Sequence, residues 1–319
     1  MNLTTPEAYP EIIERLRSLD GRGSRIGGMR EELGTTVVSE DPRERYVLRD
    51  GSWNLAFQLQ EHWAYWAGAN PGHVERYNTQ MKEWMVDGEL PGSAYGDRLR
   101  NTAGHDQIQR ALRQLDENPE TRRAMMTVHQ ADVEDYDGGD VACTAYLHPF
   151  IRDGDLHMLA RLRSQDMYWG YTYDAANNQF IQEVMAEVLG VGLGEYHHVM
   201  DSCHYYTDFE DDVVASLETA RPARGVGIDL PEWRSWNDEF SDLSEGLKAA
   251  RDGDSEAVLA AKNDLESTFC TDWLKVMTAY EMKRFQEVDG AGQMAEQFAT
   301  WVQADDWREW ICGYMGCEP

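Results

Sequence analysis

One short span of the chain, residues 141–174, gathers several chemically capable side chains: VACTAYLHPFIRDGDLHMLARLRSQDMYWGYTYD. Cys143 carries a thiol that, as thiolate, attacks electrophilic carbon. Arg163 and Ser164 bring the kind of donors a phosphate accepts. Asp174 closes a glycine-bearing turn with a carboxylate, an acceptor for amino groups. Glu61 lies among His62, Trp63, Tyr65 and Trp66. On the solvated face of a helix it would be inert. Held among rings, a carboxylate has a raised pKa and handles protons. Arg25 sits in a Gly- and Arg-rich loop at 20–34, either a surface connection or an arm that lays a guanidinium over a phosphate. Arg122 and Arg123 are adjacent at the entry to an apolar run. From a strand they would point to opposite sides, so both reach one anion only from a turn. His197, His198, Cys203 and His204 are close in sequence, but their spacing fits no zinc motif and a strand would splay them, so no metal site is expected.

The elements that position these groups follow from periodicity. Ile12, Ile13, Leu16 and Leu19 recur at helical spacing, with Pro10 near the start. Residues 52–68 predict a helix capped by Ser52 and stopped near Gly68, and residues 105–118 a second with Ile108, Leu112 and Leu115 on one stripe. Residues 121–123 lead into the strand-like AMMTVH, and 135–140 form an acidic turn-rich loop. Residues 141–150 and 156–163 read as two strands joined at Asp153-Gly154, a hairpin signal. In the second strand Leu156, Met158, Ala160 and Leu162 share one face. Residues 174–189 are apolar on a broad face, as in a central buried helix. After Pro231 the chain reads as helices at 238–252, 255–289 and 294–312, whose tryptophans (273, 301, 307, 310) suit packing. The expected organisation is a domain at 1–230 with a helical region at 231–319 packed on it.

Composition narrows the classes. A chain of 319 residues with 42% hydrophobic residues and 11 Trp builds a sizeable core. Lys+Arg 29 against Asp+Glu 58 gives a net charge of −29, which argues against nucleic acid or other polyanions held by general electrostatics. An anionic substrate must be caught by a local arginine cluster. Five irregularly spaced cysteines suit a reducing compartment. The N-terminus lacks the pattern of a signal peptide and no apolar stretch is long enough to span a membrane, so a cytoplasmic protein with no membrane partner is expected.

Taken in order, the motifs resemble the thymidylate synthase superfamily from about Arg25 to Tyr206. They are the arginine loop, helical Glu61 with Gly68 beyond it, Tyr95-Gly96 with Arg98, NPETRR, Cys143, RSQD, WGYTYD and the closing HYY. The resemblance implies an α+β fold with a mixed sheet and flanking helices, extended here by the helical C-terminal region, and a homodimer through the sheet face. By position, Cys143 resembles the nucleophile that adds to C6 of a pyrimidine. Arg25, Arg163 and Ser164 resemble phosphate ligands, and Arg122 and Arg123 the pair donated across the dimer interface. Guanidinium groups near Cys143 would favour its thiolate. His204 and Tyr206 resemble the sugar-binding residues, and Glu61 the carboxylate that organises proton transfer and water.

The departures point to a branch. Synthases place asparagine where this chain has Asp174. An amide matches O4 and N3–H of uracil, whereas a carboxylate accepts from the 4-amino group of cytosine. Asp174 could also cap the following helix, which is compatible with that role. Met81 replaces a tryptophan and the chain continues where synthases end, changes that favour addition of water over hydride transfer; Thr144 replaces a histidine beside the thiol. The resemblance is therefore to the cytidylate (CMP or dCMP) 5-hydroxymethylase branch, and overall similarity suggests the CMP type of mildiomycin-like nucleoside antibiotic biosynthesis rather than the phage dCMP type. It implies transfer of a one-carbon unit from 5,10-methylenetetrahydrofolate to C5 of CMP, giving 5-hydroxymethyl-CMP. Ala176, small and two residues past Asp174, leaves space for a ribose 2′-hydroxyl. The alternatives are dCMP hydroxymethylation, thymidylate-type methylation, a catalytically silent nucleotide-binding homologue and, for the C-terminal region alone, a helical interaction module.

Overall fold

A computed structural model of the chain describes residues 2–49, 53–68, 74–102, 104–132, 134, 140–223, 227–229, 236–285 and 291–318. Ser52, Pro231 and most of the 135–140 loop lie outside the described residues. Contacts divide the chain into two units. The first comprises residues 1–54 and 60–225; the second comprises residues 55–59 and 226–319.

The first unit is built on a seven-stranded mixed sheet. Its strands are β1 (Arg22–Gly23), β2 (Gly28–Ser39), β4 (Met126–Thr127), β5 (Thr144–Arg152), β6 (Asp155–Leu162), β7 (Gln165–Asp166) and β8 (Gly192–Tyr206), while β3 (Tyr46–Leu48) and β9 (Arg221–Ala223) pair separately. The order is β1-β2-β8-β6-β5-β4, with β7 on β8. The β6–β8 and β7–β8 pairs are parallel and the others antiparallel. The β5–β6 hairpin turns at Asp153 and Gly154, which both take positive φ (53° and 92°), the geometry of a two-residue hairpin turn. Leu156, Met158, Ala160 and Leu162 are buried as their alternation predicts.

Helices α1 (Thr5–Arg17), α4 (Gln107–Glu117) and α5 (Tyr171–Leu189) pack with this sheet. The short α3 (Tyr95–Asp97), α6 (Glu210–Thr219) and residues 60–67 of α2 (Leu55–Ala67) complete the unit's helices. α5 is buried on nearly every side. It therefore carries polar side chains that need partners inside the protein, and it has them. Gln182 donates to the carbonyls of Leu156 (2.9 Å) and Gly194 (2.9 Å), tying the helix to β6 and β8. Gln179 donates to Thr5 (2.9 Å) on α1, and Asn178 to Tyr196 (3.2 Å) on β8.

The second unit contains α7 (Trp236–Asp252), α8 (Ser255–Asp264), α9 (Thr268–Phe285), α10 (Ala291–Thr300) and α11 (Asp305–Met315), with Phe269, Trp273 and Trp307 fully buried. Two predicted helices are each divided in two. The break at 265–267 is held by Glu239, which accepts from Glu266 N (2.9 Å) and Ser267 N (2.7 Å), and by Asp229, which accepts from Thr268 N (3.0 Å). The break before α11 is held by Asp272, which accepts from Gln303 N and Ala304 N, both at 2.8 Å. No helix among the described residues is long and apolar enough to cross a membrane.

Candidate functional site

Cys143 lies just before β5, not inside it, because its backbone serves a different partner. Its N–H donates to Tyr95 Oη (3.1 Å), as does that of Thr144 (3.4 Å), so one phenol on α3 fixes the approach to the strand. Arg163, just past the end of β6, reaches back across the hairpin. Its Nε donates to the carbonyl of Ala142 (2.9 Å) and its Nη2 to that of Val141 (2.8 Å), with Nη2 also 3.7 Å from Cys143 Sγ. The arginine remains exposed. The expected thiolate is not what this arrangement yields. Burial pushes the thiol up to about 11; Arg163 pulls it down, and Asp174, Asp140 and Asp166 push it further up. One guanidinium does not offset burial and three carboxylates.

Asp174 occupies the first turn of α5, which starts three residues earlier than its apolar pattern suggests, with Gly170 at the cap position. The helix cap is therefore not its task. Its Oδ2 accepts from Gln165 Nε2 (2.9 Å). Burial raises this carboxyl to about 6; Gln165 acts downward and Asp166 upward. One turn further along α5, Asn177 Nδ2 donates to Glu61 Oε2 on α2 (3.2 Å). Burial, then the charge of Asp174, raises Glu61 to about 8, against the Asn177 hydrogen bond. The same Asn177 faces His62, whose Nδ1 lies 2.7 Å from its Oδ1, while His62 Nε2 meets Tyr46 Oη at 3.0 Å. Burial, then the charge of Arg45, holds His62 well below its ordinary value. A neutral His62 thus donates to Asn177 and accepts from Tyr46, and the amide of Asn177 is turned with its donor towards Glu61.

Asp166 on β7 accepts from Tyr168 N (2.7 Å) and Trp169 N (2.9 Å), which shapes the turn leading to Asp174. His204 is buried on β8, with Tyr206 edge-on to it at 5.2 Å between ring centres. The Tyr206 phenol is raised by burial first, then by Asp166 and Cys143, and lowered by Arg25 and Arg163, so all four groups lie within electrostatic reach of one ring. Arg25 itself is exposed in the β1–β2 turn, where Ser24 N donates to Gly27 O (2.7 Å). Ser164 is half-buried beside Arg163, and Ala176 is fully buried on α5.

Arg122 and Arg123 are exposed before β4, and among the described residues neither makes an ion pair. The chain does not bring them to its own Cys143. The sequence-clustered histidines separate: His198 is buried on one face of β8, His197 half-buried on the other. A different trio, His157, Glu195 and His197, has ligand-type atoms within 4.8 Å of one another. There His157 Nδ1 already accepts from Glu195 N (3.1 Å), and His197 Nε2 meets Glu195 Oε2 (3.1 Å).

Three residues at the site carried no assigned role from sequence: Tyr95, Gln165 and Asn177. Tyr95 stood in a noted motif. Gln165 likewise stood in the RSQD motif without a role of its own, and Asn177 gave no signal, since an Asn beside an apolar run reads as ordinary polar filling.

Comparisons with known proteins converge on one family. The family model described as thymidylate synthase matches residues 48–244. The chain is 30% identical over 237 residues to a deoxyuridylate hydroxymethyltransferase of Bacillus phage SP01, covering 69% of this chain and 60% of that protein's length. It is 31% identical to the deoxyuridylate hydroxymethyltransferase of Pseudomonas phage M6, covering 73% of each. Over 41% of the chain it is 32% identical to a thymidylate synthase of Bacillus licheniformis, spanning 49% of that protein. Among solved structures, a thermostable thymidylate synthase A from Bacillus subtilis superposes with a TM-score of 0.55 at 20% identity, covering 71% of this chain and 87% of that one, which establishes the fold.

Proposed function

The chain belongs to the thymidylate synthase family, and from that premise we propose that it hydroxymethylates C5 of a cytidine monophosphate nucleotide. The observation that carries the reading is Asp174: a half-buried carboxylate with a neutral amide partner, raised to about 6, beside the site of Cys143 and Glu61. A carboxyl group that readily takes or shares a proton is complementary to cytosine, accepting from the 4-amino group and sharing a proton with N3.

The donor is 5,10-methylenetetrahydrofolate, which supplies an electrophilic one-carbon unit when bound. Trp169, half-buried and edge-packed on Tyr168 (4.6 Å) and Phe209 (5.5 Å), offers a flat ring system a stacking wall on the turn that carries Asp174. Arg49, near the start of the helix bearing Glu61, is instead buried, donating to Tyr9 Oη (2.9 Å) and Thr172 (3.3 Å), and is not available to a folate carboxylate.

Cys143 Sγ adds to C6, which makes C5 nucleophilic; C5 takes up the donor's one-carbon unit, and loss of the C5 proton and of tetrahydrofolate leaves an exocyclic methylene on the pyrimidine. Arg163, Ser164 and Arg25 hold the phosphate, joined by Arg122 and Arg123 of the second subunit in a homodimer, whose added positive charge also brings the thiol of Cys143 down towards its reactive form. His204 and Tyr206 hold the sugar, and the small Ala176 accommodates the 2′-hydroxyl of CMP. Glu61, protonated near neutral pH, exchanges protons at the base edge. It then positions the water that adds to the exocyclic methylene as Cys143 leaves. The product is the 5-hydroxymethyl nucleotide, fitting nucleoside antibiotic biosynthesis in a cytoplasmic setting.

The names of the phage relatives favour a second reading, a deoxyuridylate substrate. Incubating the protein separately with CMP, dCMP, UMP and dUMP, plus formaldehyde and tetrahydrofolate, and weighing the nucleotide products separates these readings. Gain of a hydroxymethyl group on CMP is expected. Gain only on dCMP moves the assignment to the deoxynucleotide, gain only on dUMP overturns the cytosine reading, and gain of a methyl group makes the chain a thymidylate-type methylase.

A further inference from the structure

Asp174 is not isolated in the protein; it terminates a line of buried hydrogen bonds that runs back through the sheet. Asn178 Nδ2 on α5 donates to Tyr196 Oη (3.2 Å), so the phenol hydrogen is left for His198 Nδ1, 2.6 Å away. Burial pulls His198 down to about 3, so it is neutral and carries its single proton on the other nitrogen. That nitrogen, Nε2, lies 2.9 Å from Gln165 Oε1. The Gln165 amide is therefore turned with its oxygen to the histidine and its Nε2 to Asp174 Oδ2, at 2.9 Å. Tyr196, His198 and Gln165 are each at most 2% exposed, so water cannot substitute for any link. Gly170 leaves the room: a Cβ there would lie 2.6 Å from Gln165 Nε2 and 3.2 Å from Asp174 Oδ2.

We propose that Gln165 is a specificity-determining positioning residue, whose amide, locked by His198 and Tyr196, gives Asp174 a permanent donor at Oδ2 and leaves Oδ1 to meet the 4-amino pyrimidine edge. The inference rests on the reading of Asp174 as the group that meets the base. An amide without a partner behind it could turn its oxygen towards the carboxylate, where the two acceptors would repel. The line forbids the flip, because reversing Gln165 would set its N–H against the N–H of His198. Base preference is thereby built into β7 and β8, behind the residue that touches the base. The carboxyl is also faced by Asp166, which opposes its charge, while the Gln165 donor acts the other way.

The test is Gln165→Met in the full-length protein, which keeps length and removes the amide. Dissociation constants for CMP and UMP are measured by calorimetry and kcat/KM for both by product formation across pH. The CMP-over-UMP ratio should fall roughly ten- to hundred-fold, the size of losing a hydrogen bond to a charged group. The acidic limb of the CMP profile should move to higher pH, since the donor that lowers Asp174 is gone. Gln165→Glu, which offers only acceptors, should shift that limb further. Tyr196→Phe frees the tautomer of His198 and should give a smaller fall in the ratio; it carries the test should the Gln165 variants not fold. Equal weakening of both nucleotides with an unmoved pH limb would make Gln165 merely structural and overturn the proposal. An unchanged ratio would do the same. A wild type that prefers CMP while every variant keeps that preference counts against Gln165 alone. A wild type that does not distinguish CMP from UMP overturns this inference and the cytosine reading together.

Discussion

Two ends of one helix treat a carboxylate in opposite ways. At the N-terminal end of α5, Asp174 and, through Asn177, Glu61 have amide partners, and burial raises both. Towards the C-terminal end, Glu183 pairs with Arg45 (2.5 Å) and Arg43 (2.6 Å), and the guanidinium groups outweigh burial and hold its carboxyl below the ordinary range. Arg45 is fully buried. Glu183 is more deeply enclosed than Asp174, yet its carboxyl is the one held low, so the difference lies in the partner. A guanidinium fixes the charge and makes the carboxylate a structural rivet. An amide satisfies the hydrogen bond while leaving the proton negotiable, which is what proton transfer and recognition of an amino-pyrimidine require.

The largest expected effect comes from Glu61→Gln, which should lower kcat by about 10²- to 10⁴-fold, the range of a lost acid–base group. The same change should leave the fold more stable. Glu61 has a folded value of about 8, above the unfolded one, so folding loses stability as pH rises from the unfolded value through 8. Removing the group should therefore add about 1–3 kcal/mol near pH 7, read by urea unfolding. Activity lost together with stability would break the contrast.

Glu183→Gln should do the reverse, costing about 3–5 kcal/mol by leaving Arg45 buried without its counter-charge. Because the folded value of Glu183 is lowered, its contribution is present above the unfolded value and is lost as pH falls through the folded one. Urea midpoints for wild type and variant should thus converge on acidification. Midpoints that stay parallel would contradict the assignment.

A third, smaller effect concerns Cys143. Alkylation of this residue, followed by peptide mapping in the nucleotide-free protein, should show a midpoint below the value of about 11 that one chain sets, because Arg122 and Arg123 of the second subunit add positive charge; a midpoint at 11 would show that they add none. Arg163→Ala should move the midpoint higher by about one unit or less, the reach of a partly solvated charge. A midpoint already below 8 in the free protein would show that the site holds more positive charge than one chain supplies.

Much of this contrast was hidden in the sequence. The alternation in β6, the Asp153-Gly154 turn and the apolar breadth of α5 are local patterns, and the structure follows them. The ordered motifs led to the family because Cys143, Arg163 and Glu61 keep their types and spacing, while Asp174 keeps the spacing and departs in type. Helix ends set by distant groups were not legible. Nothing near 265–267 announces a break; Glu239 and Asp229 cap it from 28 and 39 residues away. The same holds for the site. Gln165, Asn177, His198 and Tyr46 matter through which end of each polar group faces which neighbour, and only the assembled sheet and helix decide that. The expected thiolate failed for a related reason: the charge of Arg163 was visible in sequence, the burial opposing it was not.

The central claim is that the carboxylate at 174, paired with the Gln165 amide and, among the described residues, with no cation, is what selects cytosine. The most direct measurement is kcat/KM for CMP and UMP with the wild type and Asp174→Asn. The account predicts that the wild type favours CMP and that the variant shifts towards UMP by about 10²-fold or more, the loss of one matched hydrogen-bond pair and the gain of another. An unchanged CMP-to-UMP ratio in the variant would contradict it.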